Sequence, residues 1–112
     1  IVLTNFNENR HLFEQFAQDN DVVMSVNQIG STDPKLNITE CDLLFVDSLH
    51  DSHHVRQELL LHGPKTNKFI VIHDTGDRPM NHAVALEALS PLGWKAIGWD
   101  LCGHGHSIFG KI

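Results

Sequence analysis

Asp42-Leu-Leu-Phe-Val-Asp47 and, further along, Lys68-Phe-Ile-Val-Ile-His73 decide the fold. Each is a run of four apolar residues between polar ends, the pattern of a strand buried on both faces in the middle of a parallel sheet. Between them, Asp51 or Ser52 is placed to cap a helix that runs to His62, with Val55, Leu59 and Leu60 inward and Gly63-Pro64 as its stop. Strand, helix and strand in this order make a βαβ unit.

Working outward, Asn81 to Leu89 carries Val84, Ala85, Ala88 and Leu89 at helical spacing and ends at Ser90-Pro91 and Gly93. The tail from Trp94 to Ile112 reads as two strands around Gly103-His-Gly105. Toward the amino end, Ile1-Val-Leu-Thr4 and Val22-Val-Met-Ser-Val26 are β-prone. They flank a helix over Arg10 to Ala17, whose Leu12, Phe13, Phe16 and Ala17 share a face. The expected architecture is α/β: a Rossmann-like, mostly parallel sheet with an antiparallel carboxyl-terminal strand pair. Residues 1–112 are expected to form one partial domain, truncated at its amino-terminal end.

The totals exclude several classes. A chain of 112 residues has material for one sheet and its helices. With 41% hydrophobic and 20% charged residues it has the composition of a soluble globular protein. No apolar run approaches the roughly 20 residues of a membrane span. A formal charge of −6 argues against nucleic acid as a partner, since phosphate binding concentrates Lys and Arg. Two distant cysteines, Cys41 and Cys102, form neither a disulfide framework nor a zinc motif and are expected as reduced, buried small hydrophobes. No leader pattern opens the chain, so a cytoplasmic location is expected.

In open α/β sheets ligands sit at the carboxyl ends of the strands. There the sequence places Asp47, with His50 three residues on, and the pair His73-Asp74. If the two strands are parallel neighbours about 4.8 Å apart, these side chains converge. Carboxylates suit Mg²⁺, and imidazole moves the preference toward Mn²⁺, Fe²⁺ or Zn²⁺. Equally, Asp47 and Asp74 could serve as acceptors for backbone donors in the following turns. His50 has the chemistry of a general base or of a solvated loop residue. His53 and His54, at the helix start, are given no special role. His104 and His106 read as structural or surface groups. Asp77 and Arg78 read either as part of a loop over the site or as an exposed pair. A zinc hydrolase using His73, His104 and His106 lacks the HExxH spacing.

Gly30-Ser-Thr-Asp-Pro34, Leu43-Leu-Phe-Val-Asp-Ser-Leu-His50 with Val55 and Glu58-Leu59, and Phe69-Ile-Val-Ile-His-Asp-Thr75 together resemble one family. It is the class I S-adenosylmethionine-dependent O-methyltransferases of the cephalosporin hydroxylase, rhamnosyl and macrolide-sugar type. Gly103-His-Gly105 is similar to the turn of its last strand pair. The resemblance covers most of the chain from Gly30 onward. It implies a divalent metal, Mg²⁺ first, at Asp47, His73 and Asp74, with His50 as the base that deprotonates a small hydroxylated, sugar-type substrate. It also implies cofactor contacts at Asn5, Gly30, Ser31 and Asp33. His73 stands where the family commonly has a carboxylate, and the family's glycine-rich first strand and turn have no counterpart here. The expected partner is therefore a second copy, or another chain, that completes the sheet. The alternative is an inactive remnant of the fold that serves as a binding or assembly module.

Overall fold

The computed structural model describes residues 6–25, 27 and 29–111, with side chains from residue 10 onward. Three helices, α1 (Phe6–Asp19), α2 (Ser52–His62) and α3 (Pro79–Leu89), accompany four strands, β1 (Cys41–Val46), β2 (Thr66–His73), β3 (Trp94–Asp100) and β4 (His106–Lys111). The sheet order is β1-β2-β4-β3. β1 and β2 are parallel, whereas β4 is antiparallel to both β2 and β3.

One parallel pair among three pairings departs from the mostly parallel sheet expected. Of the two other β-prone runs, Ile1 to Thr4 lies outside the described residues. Residues 22–25 of the Val22 to Val26 run form no strand, and Val26 is not described. Val23 there is 97% exposed. A β-prone run needs a ladder partner, and among the described residues β1 pairs with β2 alone.

The βαβ unit forms as its sequence dictates. Leu44 lies opposite Ile70 and Val46 opposite Ile72, so both strands reach their carboxyl ends together. On one face of the sheet, Leu44, Val46, Ile70, Ile72 and Phe109 pack against Val55 and Leu59 of α2 and Ala85 and Leu89 of α3. Leu59 is fully buried, a contribution of about 1.5–3 kcal/mol for a side chain of its size. The same alternation leaves Leu43 and Phe69 on the opposite face, 49% and 45% exposed. Burial on both faces, read from the unbroken apolar runs, is therefore not what forms. Periodicity cannot separate a strand covered on two sides from one whose second face is apolar and open.

Helix boundaries also shift for local reasons. Asp51 is the N-cap of α2 by position, without a side-chain cap bond. α2 ends at His62 with Gly63 as its C-cap, as expected, but Gly63 keeps right-handed helical angles and leads into a 3₁₀ turn through Lys65. The Thr66 hydroxyl donates to the His62 carbonyl at 3.0 Å, satisfying one of the free acceptors there. α3 starts earlier than its apolar pattern, at Pro79, whose missing N–H costs nothing in the first turn. Leu60, expected inward on α2, is exposed. Of the four apolar residues assigned to one face of α1, only Ala17 is buried. Cys41 is half-buried and Cys102 exposed, both free thiols, so burial fails for Cys102, which follows β3 in the turn toward β4. No helix among the described residues is long and apolar enough to cross a membrane.

Candidate functional site

Asp47 leaves the end of β1 and His73 ends β2, with Asp74 next in the chain. Their side chains meet: His73 Nδ1 is 3.3 Å from Asp47 Oδ1 and 3.1 Å from Asp74 Oδ2. Neither approach has hydrogen-bond geometry, and this Nδ1 is buried with no hydrogen-bond partner. His50 reaches the same carboxylate, with Nε2 at 2.9 Å from Asp74 Oδ2. One ligand atom each from Asp47, His50 and Asp74 fall within 4.8 Å of one another.

The loop from Asp47 to His50 is held from two sides. The Ser48 hydroxyl donates to Glu58, a carboxylate only 1% exposed on α2. Glu58 also takes His54 Nε2 at 2.6 Å, and the Ser31 hydroxyl lies 3.0 Å from that same nitrogen. From α3, buried Asn81 donates through Nδ2 to the His50 carbonyl at 3.1 Å, while its Oδ1 accepts from Ser52 at 2.8 Å. His54, given no role from the sequence, is thus part of the scaffold. Glu58 and Asn81 were not foreseen as polar supports either. Their signal was a polar residue within the helical repeat of the inward positions Val55, Leu59 and Ala85.

The other wall comes from the turn between β2 and α3. Asp74 has φ +63°, a left-handed conformation that aspartate tolerates better than most residues. Its N–H donates to the Gly105 carbonyl at 2.9 Å, and the Gly76 and Asp77 N–H groups both donate to the His104 carbonyl, at 2.9 and 3.1 Å. The two backbones touch here. A Cβ on Gly105 would run into the backbone of Gly76 and the Asp100 carbonyl, and Gly105 also has φ +75°. The contact brings His104 Nδ1 against Asp77 Oδ2 and to 4.0 Å from Asp74 Oδ1. The hydrogen bond with Asp77 and the charges of Asp77 and Asp74 raise the His104 pKa. Asp74, Asp77 and His104 form a second group whose ligand atoms lie within 4.8 Å of one another.

His104 thus belongs to the cleft, where its position beside Gly105 had suggested a structural or surface role. Asp77 and Arg78 line the same cleft with Asp47, His50, His73 and Asp74, around a volume of about 600 Å³. His106 pairs with His73 across the β2–β4 ladder. No three-ligand group among the described residues contains His106, which leaves a zinc site of His73, His104 and His106 without support. No protein family, curated protein or solved structure matches this chain.

The Asp47, His50 and Asp74 donor set could hold a divalent cation, and His73, whose buried Nδ1 has no hydrogen-bond partner, stands beside it while belonging to neither three-ligand group among the described residues. The fit to S-adenosylmethionine is different. Gly30 is exposed, the Asp33 carboxylate accepts the Lys35 N–H at 2.8 Å, and Ser31 is engaged with His54, while Asn5 lies outside the described residues. None of Gly30, Ser31 and Asp33 lines the cleft. The two glycines flanking it, Gly76 and Gly105, close on each other and so leave no room for a nucleotide between them.

Proposed function

We propose that the cleft binds a divalent metal and deprotonates a small hydroxylated, sugar-type substrate, the acceptor half of an S-adenosylmethionine-dependent O-methyl transfer. The observation that carries this reading is the convergence of Asp47, His73 and Asp74 at the carboxyl ends of the parallel pair, with His50 Nε2 2.9 Å from Asp74. Asp47, Asp74 and His73 would hold the ion, Mg²⁺ or, given the imidazole, Mn²⁺. When bound, it would lower the pKa of a coordinated hydroxyl group.

The chain's own residues do the rest. His50 takes the hydroxyl proton at Nε2, and Asp74 beside it stabilises the imidazolium that results. Glu58 and Asn81 keep the His50 loop in register with the strand ends. The open cleft of about 600 Å³ suits a sugar-sized ligand. No step is assigned to the methyl donor, because the described residues do not cradle it.

The test is incubation of the full chain with Mg²⁺ or Mn²⁺, S-adenosylmethionine and a panel of sugar diols, with methylated product read by mass spectrometry. Metal-dependent product that His50→Ala abolishes is the expected result. Absence of product with every diol and both metals sinks the enzymatic reading.

A second reading, an inactive fold serving as a binding or assembly module, is favoured by a different observation. Among the described residues β1 is a sheet edge, and its Leu43 and the neighbouring Phe69 of β2 are exposed. Such edges pair with other chains. Concentration-dependent association by sedimentation, weakened by Leu43→Lys, distinguishes this role.

A further inference from the structure

We propose that the cleft holds two divalent transition-metal ions side by side, the second bound by Asp77 and His104, with the Asp74 carboxylate bridging it to the first. The inference rests on the preceding reading for the first ion and adds a second position to it.

The two ligand groups, Asp47-His50-Asp74 and Asp74-Asp77-His104, share one residue. Asp74 turns its two oxygens in different directions: Oδ2 faces His50 and His73 at 2.9 and 3.1 Å, whereas Oδ1 faces His104 at 4.0 Å. A carboxylate in this attitude can give one oxygen to each of two ions, which in paired sites stand about 3.5–4 Å apart. At 13% exposure, the Asp74 side chain has little freedom to turn away.

The backbone supplies the rigidity that paired coordination needs. The Gly76–Gly105 contact and the three backbone hydrogen bonds across it fix His104 relative to Asp77. Asp47, Asp74 and Asp77 bring three carboxylates to one cleft, which Arg78 also lines. The hydrogen bond between His104 and Asp77 marks the place a second cation would take, by displacing the shared proton. A carboxylate, a shared carboxylate and an imidazole favour Mn²⁺, Fe²⁺, Co²⁺ or Zn²⁺ over Mg²⁺ at this position. Two adjacent ions would also match the two oxygens of a vicinal diol.

The test is Mn²⁺ titration of the full chain, with stoichiometry from equilibrium dialysis and the electron paramagnetic resonance spectrum of the bound metal. Two Mn²⁺ per chain with an exchange-coupled spectrum are expected. His104→Ala and Asp77→Asn should each reduce this to one Mn²⁺ with an uncoupled signal. The His104 side chain is 73% exposed, so its removal leaves the core intact, and circular dichroism verifies the fold of both variants. One uncoupled Mn²⁺ per wild-type chain, no bound Mn²⁺, or two Mn²⁺ retained in the double variant overturns the second site. One ion with methyl transfer intact leaves the preceding reading standing alone. Two coupled ions without methyl transfer leave the paired site standing and remove the reading.

Discussion

Gly105→Ala tests the contact that closes the cleft, and its cost can be worked from two separate causes. At φ +75° any residue with a Cβ is strained by about 1–2 kcal/mol. The new Cβ also meets backbone atoms of Gly76 and Asp100, which cannot rotate aside as a side chain would. Forcing an extra carbon into such a space adds about 1–3 kcal/mol, for a sum of about 2–5 kcal/mol. Gly103→Ala isolates the first cause, because Gly103 has φ +62° and nothing within 4 Å of its Cβ position. Gly30→Ala isolates neither, having open space and no positive φ, and should stay within about 0.5 kcal/mol of the parent.

Urea unfolding followed by the fluorescence of Trp94 and Trp99 measures all three. At a slope of about 1 kcal/mol per molar urea, Gly105→Ala should lower the midpoint by about 2 M or more and Gly103→Ala by about 1–2 M. Equal midpoints for these two variants would refute the steric part of the reasoning, and with it the claim that backbone contact places His104.

Other outcomes follow from the polar supports. Replacing Glu58 with Ala leaves Ser48 and His54 without their buried acceptor and should cost about 3–5 kcal/mol in the same unfolding assay, against about 1–3 kcal/mol for Ser48→Ala. Asn81→Ala, by releasing the His50 carbonyl, should weaken Mn²⁺ binding about 10–100-fold in a dialysis titration while leaving the stoichiometry unchanged. Burial lowers the pKa of His82, which stacks on Trp99 with ring centroids 3.8 Å apart and lies 2.7 Å from the Ser107 hydroxyl. Because the depressed value belongs to the folded chain, protonation favours unfolding. This contribution is complete above the ordinary imidazole range and is lost as pH falls through it toward the folded value. The unfolding midpoint of His82→Asn should accordingly fall less steeply than the parent's as pH drops below about 6.5, and parallel profiles would contradict the assignment.

The two apolar runs made the parallel pair, the intervening helix and the position of Asp47 and Asp74 legible, because strand ends follow directly from where hydrophobicity stops. The terminal hairpin was legible from Gly103 and Gly105. What the runs hid was the open face: Leu43 and Phe69 carry the same apolar signal as Leu44 and Ile70, and burial is a property of what lies opposite. The run from Val22 was misleading for the same reason, since β-propensity names no partner. His104 escaped because its neighbours are distant in sequence. The available sign was Gly76 together with Gly105, two residues without side chains at turns that must touch. Glu58 escaped because a charged residue in a helix is ordinarily read as solvent-facing.

The order β1-β2-β4-β3 has a consequence for how the chain folds. Asp47 and His73 come together when the βαβ unit closes, but Asp77 gains His104 only when β4 inserts beside β2 and pairs Phe69 with Gly110. That pairing spans more of the chain and is entropically the later event. During synthesis, the cleft would therefore stand half-built until β4 had been added, and a nascent chain cut short before Gly105 would present Asp47, His50, His73 and Asp74 without the wall that encloses them.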